Sequence, residues 1–188
     1  MRMRALVRIA DRIRAALEVT AFAGGWLLIL LAFVTCFDVV CRKIGIEVPS
    51  TKLQEFEWHV HTALFALWMG YNYTINAHPR VDSYTETLSL RGKAWIELFG
   101  CLIFALPYMA ILCWYSIEFV AFAYNINEQS ESGIGLAHRW IVKAVYAAGL
   151  WLVLIAILSV MMRLIAFLFG RLPQDEVRLQ IGPSKLEV

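Results

Sequence analysis

The chain has 188 residues, 60% of them hydrophobic, and a mean hydropathy of +0.63. Soluble domains are typically about 45–50% apolar, so the composition excludes an ordinary soluble globule and points to a membrane protein. A formal charge of +2 gives no footprint for nucleic acid, which calls for a strongly basic face.

Residues 1–18 hold Arg2, Arg4, Arg8, Arg12 and Arg14. Arg4, Arg8 and Arg12 recur at i, i+4, while Leu6, Ile9, Ile13 and Leu17 line another face. This pattern predicts an amphipathic helix over about 3–18, lying among headgroups and paired with anionic lipid. The plainer reading is a frayed basic tail that only sets topology.

Four apolar runs follow, at about 21–41, 56–77, 94–117 and 144–169. Each is roughly 20–26 residues, enough at 1.5 Å per residue to cross about 30 Å of hydrocarbon. The expected fold is therefore all-α: a four-helix integral membrane protein in one membrane domain over 1–188. The first run is expected to stay as an anchor. It exceeds a usual signal-peptide core, and Phe37-Asp38-Val39-Val40-Cys41-Arg42 is a poor cleavage context. Gly24 and Gly25 allow close approach to a neighbouring helix. Asp38 lies four residues before Arg42, within reach of an interfacial ion pair. Glu55 and Glu57 suit the start of the second helix, and Pro79 should stop it. Ser83-Tyr84-Thr85-Glu86 reads as a capping box for a short surface helix. Pro107 should kink the third helix. Ser132-Gly133-Ile134-Gly135 breaks the connection that follows. Trp140 and Lys143 mark the start of the last helix, and Arg163 is placed to snorkel near its end.

Basic residues gather in the N-terminal segment, in the second connection (Arg80, Arg91, Lys93) and near the C-terminus (Arg163, Arg171, Arg178, Lys185). Lys and Arg favour the cytoplasmic side, so both termini are expected there.

The spacing of the cysteines and histidines argues against redox chemistry. Cys36, Cys41, Cys101 and Cys113 form no Cys-x-x-Cys pair and all fall in or at the end of apolar runs. They read as small buried hydrophobes. His59 and His61 are spaced i, i+2 and point apart on a helix, while His78 and His138 belong at opposite surfaces. A four-helix redox protein of quinone, thiol or haem type is the alternative from another class. No catalytic, cofactor-binding or metal-ligating residue is expected.

Several motifs together resemble one family. They are Leu53-Gln54-Glu55, Gly70-x-x-Tyr73-Thr74, His78-x-Arg80-Val81-Asp82 and Leu88-Ser89-x-Arg91-Gly92-Lys93-Ala94-Trp95. Glu128-x-Ser130-x-Ser132-Gly133 and Arg139-Trp140-Ile141-Val142-Lys143-Ala144 complete the set. The combination resembles the small membrane subunit (DctQ type) of TRAP transporters, nearest the mannitol, chloroaromatic and 2-oxo acid branch. Many members carry a proline shortly before the last-helix tryptophan, where this chain has Ala137-His138.

The resemblance implies a bacterial inner-membrane, multi-pass, non-enzymatic subunit of a three-part importer of organic acid anions. Its partners would be a large elevator subunit, which binds the coupling sodium, a periplasmic binding protein and membrane lipid. Glu55, His78, Arg80, Asp82, Arg91, Trp140 and Lys143 then become candidates for a subunit or lipid interface. His78, Arg80 and Asp82 would pin the second helix at a fixed depth. Arg42, Lys43 and Lys52 become candidates for a binding-protein dock.

Overall fold

A computed structural model describes residues 2–77, 87–170 and 172–181. Among the described residues every regular element is helical: α1 (Arg2–Ile44), α2 (Ser50–Thr74), α3 (Leu90–Gly100), a π-helical turn (Cys101–Ala105), α4 (Leu106–Asn125), α5 (Trp140–Gly170) and the short α6 (Gln174–Val177).

The expected N-terminal surface helix is not a separate element. α1 runs unbroken through 43 residues, which at 1.5 Å each makes a rod about 64 Å long. Residues 18–21 hold no glycine or proline, so nothing local ends the helix there. Three helices among the described residues are long and apolar enough to cross a membrane: α1, the α3–α4 rod and α5. α2 is 25 residues long, but Gln54, Glu55, Glu57, His59, His61 and Asn72 dilute its apolar character. It starts at Ser50 rather than near 56 and ends at Thr74 rather than 77.

α2 packs against both α1 and α5, α1 packs against α5, and the α3–α4 rod leans chiefly on α5. Large rings face outward, with Phe22, Phe33 and Phe104 each at least 70% exposed. In water such exposure would be a liability, whereas lipid or a partner's apolar surface satisfies it.

Close approach explains part of the packing. The Trp68 indole lies over Gly24, and its Nε1–H donates to Ala21 O of α1 at 2.7 Å. Gly24 thus serves as expected. A Cβ on Gly25 would meet nothing within 4 Å, so within this chain only Gly24 is used for close approach. Gly149 of α5 lies directly against Ala66 of α2, and Gly70 of α2 against the Leu152 carbonyl.

Pro107 acts through the π turn before it. In a regular α-helix its ring would collide with the carbonyl four residues back. Here the Leu106 N–H reaches Cys101 O, five residues back. That widened turn places Pro107 at the start of α4, where its missing N–H costs nothing. The Tyr73 hydroxyl lies 3.1 Å from Cys101 Sγ and ties the end of α2 to this turn.

Candidate functional site

The bundle has two polar ends. One carries the α1–α2 and α4–α5 connections and is called the loop end. The other carries both termini.

At the loop end, residues far apart in sequence meet on the first turns of α2. The Glu55 carboxylate accepts the Ser130 hydroxyl, and it accepts the Leu136 N–H at 2.6 Å. The Ser130 hydroxyl bond, then the Leu136 N–H, hold the Glu55 carboxyl below its ordinary value. Partial burial opposes them, and the charges of Arg139 and His59 add to the lowering. A Cβ at Gly135 would meet the Glu55 carboxylate and the Ser130 hydroxyl, so a larger residue there would have to displace this hydrogen-bonded pair.

The same connection closes on itself. Arg139 N–H donates to Glu128 O at 3.0 Å, and Ser130 N–H to Leu136 O at 3.2 Å. His138 Nδ1 lies 2.9 Å from Asn127 Oδ1. Lys143 pairs with Glu128 at 2.5 Å, and its ammonium stands 4.1 Å from the Phe119 ring centre. Trp140 meets Tyr124 edge to face at 5.3 Å. His138 has φ 60°, which a proline ring, fixed near −65°, cannot adopt. The Ala137-His138 departure therefore accompanies a left-handed entry into α5.

Glu55, Trp140 and Lys143 are thus brought together. Arg91 is not with them: at the terminal end its Nη2–H donates to Leu168 O at 3.1 Å, satisfying a carbonyl near the end of α5. His78, Arg80 and Asp82, like the Ser83–Glu86 capping box, lie outside the described residues. Arg42 forms an ion pair with the fully buried Asp38 at 2.5 Å, as its spacing suggested, while neither Asp38 oxygen has a well-formed hydrogen bond among the described residues. Lys43 and Lys52 are exposed.

The terminal end holds a cluster that sequence reading missed. Arg163 was expected to snorkel, yet its side chain is only 3% exposed. It donates to Asp11 Oδ1 at 2.8 Å and to Val177 O at 2.7 Å. Ser159 Oγ donates to Ala10 O at 3.2 Å one turn away, and Arg4 pairs with Glu176 at 2.8 Å. The first turns of α1, the end of α5 and the C-terminal segment are locked together. Asp11 is the single acid among residues 1–17. An arginine inside an apolar helix demands a partner, so that lone acid was the available signal.

No cysteine is joined in a disulfide, and Cys41, Cys101 and Cys113 are buried. Among the described residues no group of three or more His, Cys, Asp or Glu side chains is placed to hold a metal.

A family model for the tripartite ATP-independent periplasmic transporters, DctQ component, matches residues 31–167. The chain belongs to the DctQ family. No curated protein and no solved structure matches the chain. It is therefore a small membrane subunit of a TRAP transporter. The DctQ match takes in the whole loop-end cluster. At the terminal end it takes in Arg163, while Asp11 and Val177 lie beyond its limits.

Acid should open the loop-end latch only late. Glu55 titrates below its ordinary value, so its contribution is complete above the unfolded value and is lost as pH falls through the folded one. Protease resistance of residues 126–139 should hold from pH 7 to about pH 5 and fail only below the usual carboxylate range, about 4.3. Ser130→Ala should move that failure to higher pH. A wild-type transition near pH 6 would assign the latch to histidine instead.

Proposed function

We propose that this chain is a four-span, multi-pass inner-membrane subunit with both termini in the cytoplasm. It serves as the static partner of a large, sodium-coupled elevator subunit that imports organic acid anions, in the mannitol, chloroaromatic and 2-oxo acid branch. The observation that carries this reading is the DctQ match over residues 31–167. Packing supports the scaffold role: the buried Arg163 is held by hydrogen bonds to Asp11 and to the Val177 carbonyl. A carrier would instead keep such groups for its cargo.

The loop end then faces the periplasm, where Lys43 and Lys52 contribute to docking the binding protein, with Arg42 beside them on Asp38. His78, Arg80 and Asp82 hold α2 at headgroup depth while the partner's mobile domain slides. Substrate and sodium are held by the large subunit, and lipid fills the outward apolar surface.

Co-expression with a large TRAP membrane subunit from the same source tests the reading. The two should co-purify, and uptake of the anion should require both. Arg80→Ala with Asp82→Ala should lower complex recovery and uptake together. Full uptake in a strain lacking this chain would defeat the proposal.

A further inference from the structure

A groove of about 350 Å³ opens beside the loop-end latch, between α2, α4 and α5. Its polar lining includes Glu55, His59, Arg139 and Lys143, and Trp58 and Tyr146 form apolar walls. Three features narrow what it takes. First, Lys143 is already paired with Glu128. Second, Arg139, a half-buried residue, makes no side-chain hydrogen bond or ion pair among the described residues, although its charge is felt at Glu55. Third, Glu55 has accepted two hydrogen bonds, and a carboxylate offers about four acceptor sites.

The groove thus presents one uncommitted cation and one carboxylate with spare acceptors, near each other but unpaired. A simple anion would meet the Glu55 charge, and a simple cation would meet Arg139. A zwitterion satisfies both. Trp58 and Tyr146, both exposed rings, give the interfacial aromatic setting in which a lipid headgroup sits.

We infer that this groove binds a phospholipid with a primary-amine zwitterionic headgroup, of the ethanolamine class. Arg139 takes the phosphate, Glu55 takes the ammonium, and the acyl chains run along Trp58 and Tyr146. The inference rests on the reading that the loop end lies at a membrane surface. The forked guanidinium suits a phosphate. Glu55 needs N–H donors, which an ethanolamine ammonium has and a choline lacks.

The test is native mass spectrometry of the full chain in mild detergent. Ethanolamine, choline and glycerol phospholipids with identical acyl chains are offered, and inorganic phosphate is added as competitor. The ethanolamine lipid should be retained about tenfold over the others, the scale of one charged hydrogen bond. Arg139→Ala and Glu55→Gln should each abolish the preference. Ser130→Ala loosens the loop but keeps the carboxylate, and should preserve it. Equal retention of choline lipid, stronger retention of glycerol lipid, or displacement by phosphate would overturn the proposal. An equal loss in Ser130→Ala would do the same, by reducing Glu55 to loop closure. Release of the chain from membranes by alkaline carbonate would instead sink the membrane reading itself.

Discussion

Gly149→Ala should lower the thermal stability of the purified chain, although alanine is the better helix former. A Cβ at 149 would lie 2.6 Å from Ala66 Cβ, 2.7 Å from its Cα and 2.9 Å from its carbonyl oxygen. Two of those atoms are backbone, so no rotamer change relieves the clash and α2 must move off α5. Overpacking of this kind costs about 1–3 kcal/mol, against roughly 1 kcal/mol gained in helix propensity. Gly149→Leu should be worse and should scatter the loop-end cluster, because α2 carries Glu55. Ala66→Gly in the Gly149→Ala background should restore stability only partly, since the Cα and carbonyl contacts remain. Gly25→Ala is the control: its Cβ meets nothing within 4 Å, so helix propensity alone acts and the change should be neutral or stabilising. Thermal unfolding in micelles, followed by helical circular dichroism, reads all four. A Gly149→Ala chain as stable as Gly25→Ala would show that α2 and α5 are not in this contact.

The two glycines show what sequence can and cannot carry. Gly24 and Gly25 are equivalent as letters, and only the rotation of α1 against Trp68 separates them. The apolar runs were legible because hydrocarbon length and residue rise leave few choices. Their polar extensions were not. α2 gains a turn and a half at its start because Ser50 to Glu55 are helix-compatible and the latch holds them there. The continuity of α1 was legible in principle, since no breaker lies near residue 18, but the arginine pattern suggested a separate surface helix. The loop-end cluster was half legible. Glu55, Ser130, Arg139 and Lys143 stood out as motif residues, while their convergence depends on the left-handed backbone at Asn127, Gly133 and His138. Arg163 was misplaced because it lies only about two turns from the end of α5. Asp11 and the Val177 carbonyl, drawn in by tertiary folding, decide that it is buried.

That burial sets up the second large effect, which has an unusual order. Removing Asp11 should harm the fold more than removing Arg163. In Asp11→Ala the guanidinium keeps only the Val177 carbonyl and remains charged at 3% exposure. Stripping the partner from a buried charge costs about 3–5 kcal/mol. Arg163→Met is different, because it leaves an unbranched apolar side chain of similar length in an apolar core. It orphans the Val177 carbonyl, at about 1–3 kcal/mol. Asp11, one third exposed and 4.0 Å from Arg178, still has water and a cation within reach. The double variant Asp11→Ala with Arg163→Met should therefore be more stable than Asp11→Ala alone. The C-terminal segment gives an independent readout, since Arg163 grips it at Val177 and Arg4 grips it at Glu176. Protease cleavage within residues 172–181 should speed up in both single variants. Thermal unfolding should rank wild type above Arg163→Met, the double variant close to Arg163→Met, and Asp11→Ala last. A reversed order of the single variants would mean that Arg163 reaches water in solution, and the terminal clamp would then be no more than a surface contact.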